Sequence, residues 1–146
     1  MSRLLQAHGD DHPEAARKHL DDASVLSTNG RLDGASYLTG YVVECCLKSL
    51  IHHETGVAPR WRGRRGHDLR LLATWVSRCC ALAGSRTARY VAPVVLSLSS
   101  GSIAVWNPEM RYRAPSMAAA DAAQWLADAR AVYQGTVAQM LLDGVI

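Results

Sequence analysis

Glu44 and Lys48 stand four residues apart on the most apolar of the expected helices, whose middle is Tyr37 to Leu47. On a helix that spacing makes an ordinary ion pair. A carboxylate at the centre of an apolar helix also needs a partner, because an unpaired buried charge is costly. An arginine from a distant loop would serve, and Glu44 with Arg111 would then build a polar pocket between helices. Arg111, Tyr112 and Arg113 follow Trp106 in a Pro-containing loop. Guanidinium forks suit phosphates and aromatic rings suit bases. The same residues also read as core filling by Trp106 and Tyr112, with Arg111 satisfying a carboxylate. A second basic segment, Arg60, Arg62, Arg64 and Arg65, surrounds Trp61. It reads either as a clamp on a phosphate backbone or as a solvated loop. His67 follows it, as a candidate ligand contact or as a residue at a helix start. No metal site is expected: His52 and His53 are adjacent, and zinc sites place their ligands further apart.

The four cysteines form two adjacent pairs, Cys45-Cys46 and Cys79-Cys80. Neighbours on a helix point about 100° apart, which suits chelation poorly. Buried free thiols are expected, and with them a reducing, cytoplasmic setting. Residues 1–30 are polar, with Asp10, Asp11 and Glu14, and carry no signal-peptide pattern. The most apolar run, Tyr90 to Trp106, is broken by Pro93, Gly101 and four serines, so no membrane span is expected.

The elements that position these residues read as helical almost throughout. A first helix is expected over 13–28, capped by Asp11, with Pro13 in its first turn and Asn29-Gly30 at its end. A second, over 33–54, is apolar nearly all round and reads as the buried centre of a bundle. Gly40 inside it costs about 1 kcal/mol against alanine. Close approach by a neighbouring helix is the expected compensation. A loop follows over 55–66. A third helix opens at His67 and ends near Gly84, and a fourth covers 87–99 with Pro93 bending or delaying it. A loop over 101–115 leads to the last helix, 116–143, capped by Ser116. Its apolar stripe is Trp125, Ala129, Val132, Tyr133, Val137, Met140 and Leu141. No strand pattern, internal repeat or Gly-rich phosphate loop is present. The expected architecture is one all-α domain, an antiparallel up-and-down bundle of about five helices.

At 146 residues, with 49% hydrophobic and 20% charged side chains, the chain is an ordinary globular domain and not a disordered or disulfide-scaffold protein. Its net charge of +3 is uneven. Residues 55–113 carry 10 basic and 2 acidic side chains, while both flanks are net acidic. Charge concentrated in this way suits a polyanionic partner. It also follows from an arginine-rich composition, 14 Arg against 2 Lys.

Several segments together resemble the HEPN domain family. They are His19-Leu20-Asp21-Asp22-Ala23, Gly30 to Ala35, Tyr37 to Lys48, Gly66-His67-Asp68-Leu69, and Trp106 followed by Arg111-Tyr112, with the long last helix. The resemblance covers about residues 13–142, and the Gly-Tyr-x-x-Glu-x-x-x-Lys segment is its most specific part. It implies a helical bundle, often a homodimer, in prokaryotic cytoplasm. Family members include metal-independent RNases of toxin–antitoxin and defence systems, many encoded beside a minimal nucleotidyltransferase that neutralises them. Others bind nucleotides or nucleic acid. The family's RNase motif is an Arg followed after four to six residues by a His near the start of a late helix. Here no His follows His67. The chain is similar instead to the subset with an Arg-Tyr pair, Arg111-Tyr112, at that place. Arg62 and His67 match the spacing elsewhere, with four residues between them. By this resemblance Arg111 and Glu44 are the catalytic candidates. Lys48, Tyr112, Arg113, Trp106, Arg62 and His67 are the binding candidates. RNA or a nucleotide is the expected ligand, and no cofactor is expected. The alternative is a non-catalytic bundle that dimerises or binds a partner nucleotidyltransferase.

Overall fold

A computed structural model describes residues 1–59, 63–91, 95, 98 and 101–146, and gives Arg64 no side-chain surroundings. The described residues are all-α. Helix α1 (His12–Thr28) begins where Asp11 caps it: Oδ1 accepts from the Glu14 amide at 3.2 Å. It ends at Asn29, and Gly30 turns the chain with a φ of 71°. So short a link forces antiparallel neighbours, and α2 (Leu32–Thr55) runs back along α1. Helix α2 is the core of the domain. It packs against α1, against α3 (Leu69–Cys79) and against α4 (Ala119–Tyr133). Val42, Val43, Cys46, Leu47 and Leu50 are fully buried along it. Only a helix that is apolar on every side meets neighbours all round without stranding polar groups.

Two short 3₁₀ turns, Ser102–Val105 and Pro108–Tyr112, occupy the expected 101–115 loop. The first carries Ile103 and Ala104 into the interior, and Trp106 follows them in. The last helix continues from α4 through a π-helical stretch, Gln134–Ala138, into α5 (Gln139–Leu142). Trp125, Ala129, Val132, Val137 and Met140 are buried, while Leu141 is partly exposed.

Four expectations change. The third helix starts at Leu69 and ends at Cys79, well short of Gly84. His67 instead closes a 3₁₀ turn, Gly63–His67, and Asp68 is the cap, its Oδ1 accepting from the Leu71 amide at 3.0 Å. Cys80 caps the end of α3 with αR backbone, its amide donating to the Val76 carbonyl at 2.8 Å. The Cys79 and Cys80 sulfurs lie 3.4 Å apart rather than splayed, and all four thiols are free. Ser116 does not cap the last helix, which starts at Ala119. Its amide and that of Met117 donate to Asp33 Oδ1 at 2.9 and 3.1 Å, which ties this strand of chain to the start of α2. Of the expected fourth helix, Ala88–Tyr90 is a 3₁₀ turn and Val95 is α-helical, while Pro93 lies outside the described residues. No helix among the described residues is long and apolar enough to cross a membrane.

Candidate functional site

Tyr37, Tyr41, Glu44 and Lys48 follow one another at four-, three- and four-residue steps, which places them along one face of α2. Glu44 is almost wholly buried, at 4% exposure. Its two oxygens are divided between two cations or donors. Lys48 Nζ donates to Oε1 at 2.5 Å, and His67 Nδ1 lies 2.8 Å from Oε2. The helical register supplies the first contact. The second is brought 23 residues along the chain by the 3₁₀ turn that ends at His67. A buried carboxylate persists only where such partners satisfy its lone pairs.

Tyr41 is the hub of an aromatic cluster. Its ring centroid is 4.8 Å from that of Trp106 and 6.2 Å from that of His67, both edge-on, and 5.5 Å from that of His19. Its hydroxyl is 3.1 Å from the Tyr37 hydroxyl. Burial, then the Tyr37 hydrogen bond, pushes the Tyr41 phenol well above the ordinary tyrosine range, so it stays protonated. Trp106 Nε1 donates to the Tyr37 carbonyl at 2.9 Å, and its indole lies flat on Gly40. A methyl group at Gly40 would overlap that ring. The close approach that explains the glycine therefore comes from a side chain of the 101–115 region and not from a helix.

Of these groups Tyr41, His67 and Trp106 line a cleft of about 590 Å³. His67, Asp68 and Arg70 line it from the start of α3, Tyr41 from α2, and Ala104 to Glu109 with Arg111 from the two 3₁₀ turns. Glu44 is not on the wall; it lies behind His67. The Tyr37 hydroxyl and then Tyr112, both near Arg111, raise the guanidinium pKa further. Its guanidinium carbon stands 4.7 Å over the Tyr112 ring.

The residues singled out from the sequence fall into three groups. His67, Trp106 and Arg111 line the cleft, while Glu44, which lies behind His67, and its partner Lys48 do not. Tyr112 is 76% exposed and, like Arg113, lies outside the cleft wall. Arg60, Trp61 and Arg62, and with them the Arg62–His67 spacing, lie outside the described residues. The expected Glu44–Arg111 pair is corrected. Among the described residues Glu44 is held by Lys48 and His67, and Arg111 reaches only as far as Tyr37. Both Glu44 oxygens are already taken, Oε1 by Lys48 and Oε2 by His67.

Arg70, Tyr41 and Asn107 were not read as site residues. Tyr41 had a signal, since it shares the helix face of Glu44 and Lys48. Arg70 had none, being one arginine among many until α3 places it on the cleft. On the α1 side, His12 and His19 surround the same carboxylate. Burial, and then the Lys48 charge, holds the His12 pKa below the usual histidine value; burial and then Lys18 do the same for His19. His19 Nδ1 is buried and has no hydrogen-bond partner among the described residues. Among the described residues no three His, Cys, Asp or Glu side chains are grouped to hold a metal ion.

No family model matches the chain, and no curated protein and no solved structure is similar to it.

Proposed function

We propose that the chain is a HEPN-like helical module that binds RNA or a nucleotide in the cleft between α2, α3 and the 101–115 region. The observation that carries this reading is the composition of that cleft. Two guanidinium groups, Arg70 and Arg111, stand on it with an imidazole, His67, beside the aromatic Tyr41 and Trp106. Guanidinium groups grip phosphate and aromatic rings accept a base, so the lining offers both halves of a nucleotide a partner. The basic middle of the chain and the resemblance of Tyr37 to Lys48 support it further.

On RNA the cleft suits cleavage without a metal ion. The 2′-hydroxyl attacks the adjacent phosphate, and Arg111 steadies the charge that builds on the phosphate oxygens. The setting that goes with this reading is prokaryotic cytoplasm, in a toxin–antitoxin or defence module, as a homodimer and with a minimal nucleotidyltransferase as antitoxin. One observation favours a second reading, a non-catalytic module that dimerises or binds that partner: no histidine follows His67 in the chain.

The test is RNA binding by the purified protein in EDTA, with total-RNA cleavage followed in parallel. Arg70→Ala and Arg111→Ala are each expected to weaken binding about tenfold and to flatten its salt dependence. Binding that is unchanged in both variants overturns the placement of the ligand in this cleft. A wild type that binds RNA but never cleaves it favours the non-catalytic module.

A further inference from the structure

We infer that His67 is the group that moves a proton in the cleft, through Nε2, and that Glu44 is a positioning residue that acts through His67 without meeting the ligand. This rests on the reading of the cleft as an RNA or nucleotide site.

The contrast in burial assigns the roles. The Glu44 side chain is 5% exposed and the His67 side chain 39%. A ligand in the cleft can touch the ring and not the carboxylate. The hydrogen bond then fixes which nitrogen does the work. A neutral imidazole carries one N–H, and a carboxylate only accepts, so Nδ1 holds the hydrogen and donates it to Glu44 Oε2 at 2.8 Å. Nε2, on the far side of the ring from that bond, is left with its lone pair for the cleft. Histidine is the side chain that gains and loses a proton near neutrality, and the residue bonded to its other nitrogen sets the tautomer.

Lys48 has a separate part. It holds Glu44 Oε1 and cancels the carboxylate charge, so the three groups sum to zero with a neutral ring and to one positive charge with a protonated one. The ring is the one member of the trio on the cleft wall. Tyr41 packs edge-on beside it, and Asp68, Arg70 and Arg111 share the wall.

For RNA the step balances without a metal. Nε2 takes the 2′-hydroxyl proton as the O2′–P bond forms and the P–O5′ bond breaks. The departing O5′ takes a proton from water, and His67 later returns its own to water. The products are a 2′,3′-cyclic phosphate and a 5′-hydroxyl end.

The experiment uses the full chain in EDTA with a short RNA and the same oligomer carrying 2′-deoxy sugars. Binding and cleavage are measured from pH 5 to 9 for the wild type, His67→Ala and Glu44→Gln. Both variants are expected to cleave at least about 100-fold more slowly, and Glu44→Gln, whose side chain lies off the cleft wall, to bind RNA within about threefold of the wild type. The wild-type rate should rise with pH as the proton carrier is freed of its proton, a dependence His67→Ala loses. Added imidazole should restore part of the His67→Ala rate, and the 2′-deoxy oligomer should stay intact. The ring nitrogen shifts of wild-type His67 should show Nδ1 protonated and Nε2 bare, a reading that needs no variant to fold. Cleavage that survives His67→Ala, the opposite tautomer, or a wild type that binds RNA without cleaving it would each overturn the proton-carrier role and leave the binding cleft standing. A wild type that binds no RNA overturns both.

Discussion

Two helical ion pairs of like chemistry sit in opposite surroundings. On α1, Arg17 Nη2 meets Glu14 Oε2 at 2.9 Å, with side chains 58% and 35% exposed. On α2, Lys48 meets Glu44 at 2.5 Å, with side chains 11% and 5% exposed. In the first, water screens both charges and would solvate either one alone, so the pair holds little. In the second, each charge depends on the other, and the carboxylate also depends on His67. The difference teaches where function resides in this fold. A solvated pair decorates a helix; a buried pair fixes the position of a third group, and here that group faces a cleft.

The largest effect should come from splitting the buried pair. Lys48→Met leaves Glu44 desolvated with only His67 beside it among the described residues, and should destabilise the fold by about 3–5 kcal/mol in urea unfolding. Combining it with Glu44→Leu should recover most of that loss, since the burial cost goes with the charge. If the single variant is as stable as the wild type, the two pairs are equivalent and the comparison fails. Gly40→Ala comes next. The helix preference for alanine is worth about 1 kcal/mol, but the added methyl meets the Trp106 indole, and overpacking of this kind costs about 1–3 kcal/mol. A net gain in melting temperature would mean that the indole does not rest on Gly40.

Between pH 7.5 and 5.5 acid should act through half-buried histidines, two of which border the buried pair, and not through Arg17 and Glu14. His12 and His19 have folded pKa values held below the ordinary 6.5 by burial. The unfolded chain therefore takes up protons first as pH falls, and stability contributed by the neutral rings is lost below about pH 6.5. Urea midpoints at pH 7.5 and 5.5 measure this, and His12→Phe should reduce the drop. The smallest effect belongs to the exposed pair: Arg17→Ala should leave the urea midpoint where it is, at low salt and at high salt.

The parts of this molecule that could be read along the chain are those decided by near neighbours. The Asp11 cap, the span of α1, the turn at Gly30 and the all-round burial of α2 depend on residues within a few positions of each other. So does the Glu44–Lys48 contact. Gly40 announced a close approach but not what approaches. The third helix was misjudged at both ends, because Asp68 rather than His67 caps it and nothing in the residues after Cys79 marks a stop.

The sequence by itself determined an all-α domain with a carboxylate and an amine paired on its most buried helix. It also determined an excess of positive charge in the middle of the chain. Helical period, capping and charge are local properties, and composition suffices to state them. Tertiary structure alone decided which group completes the pair. His67 reaches Glu44 across 23 residues, and the Trp106 indole reaches the Tyr37 carbonyl across 69. It also decided that Arg111 stops at Tyr37. Such contacts depend on how turns without a periodic signal lay side chains onto α2, and the packing of the whole core sets that.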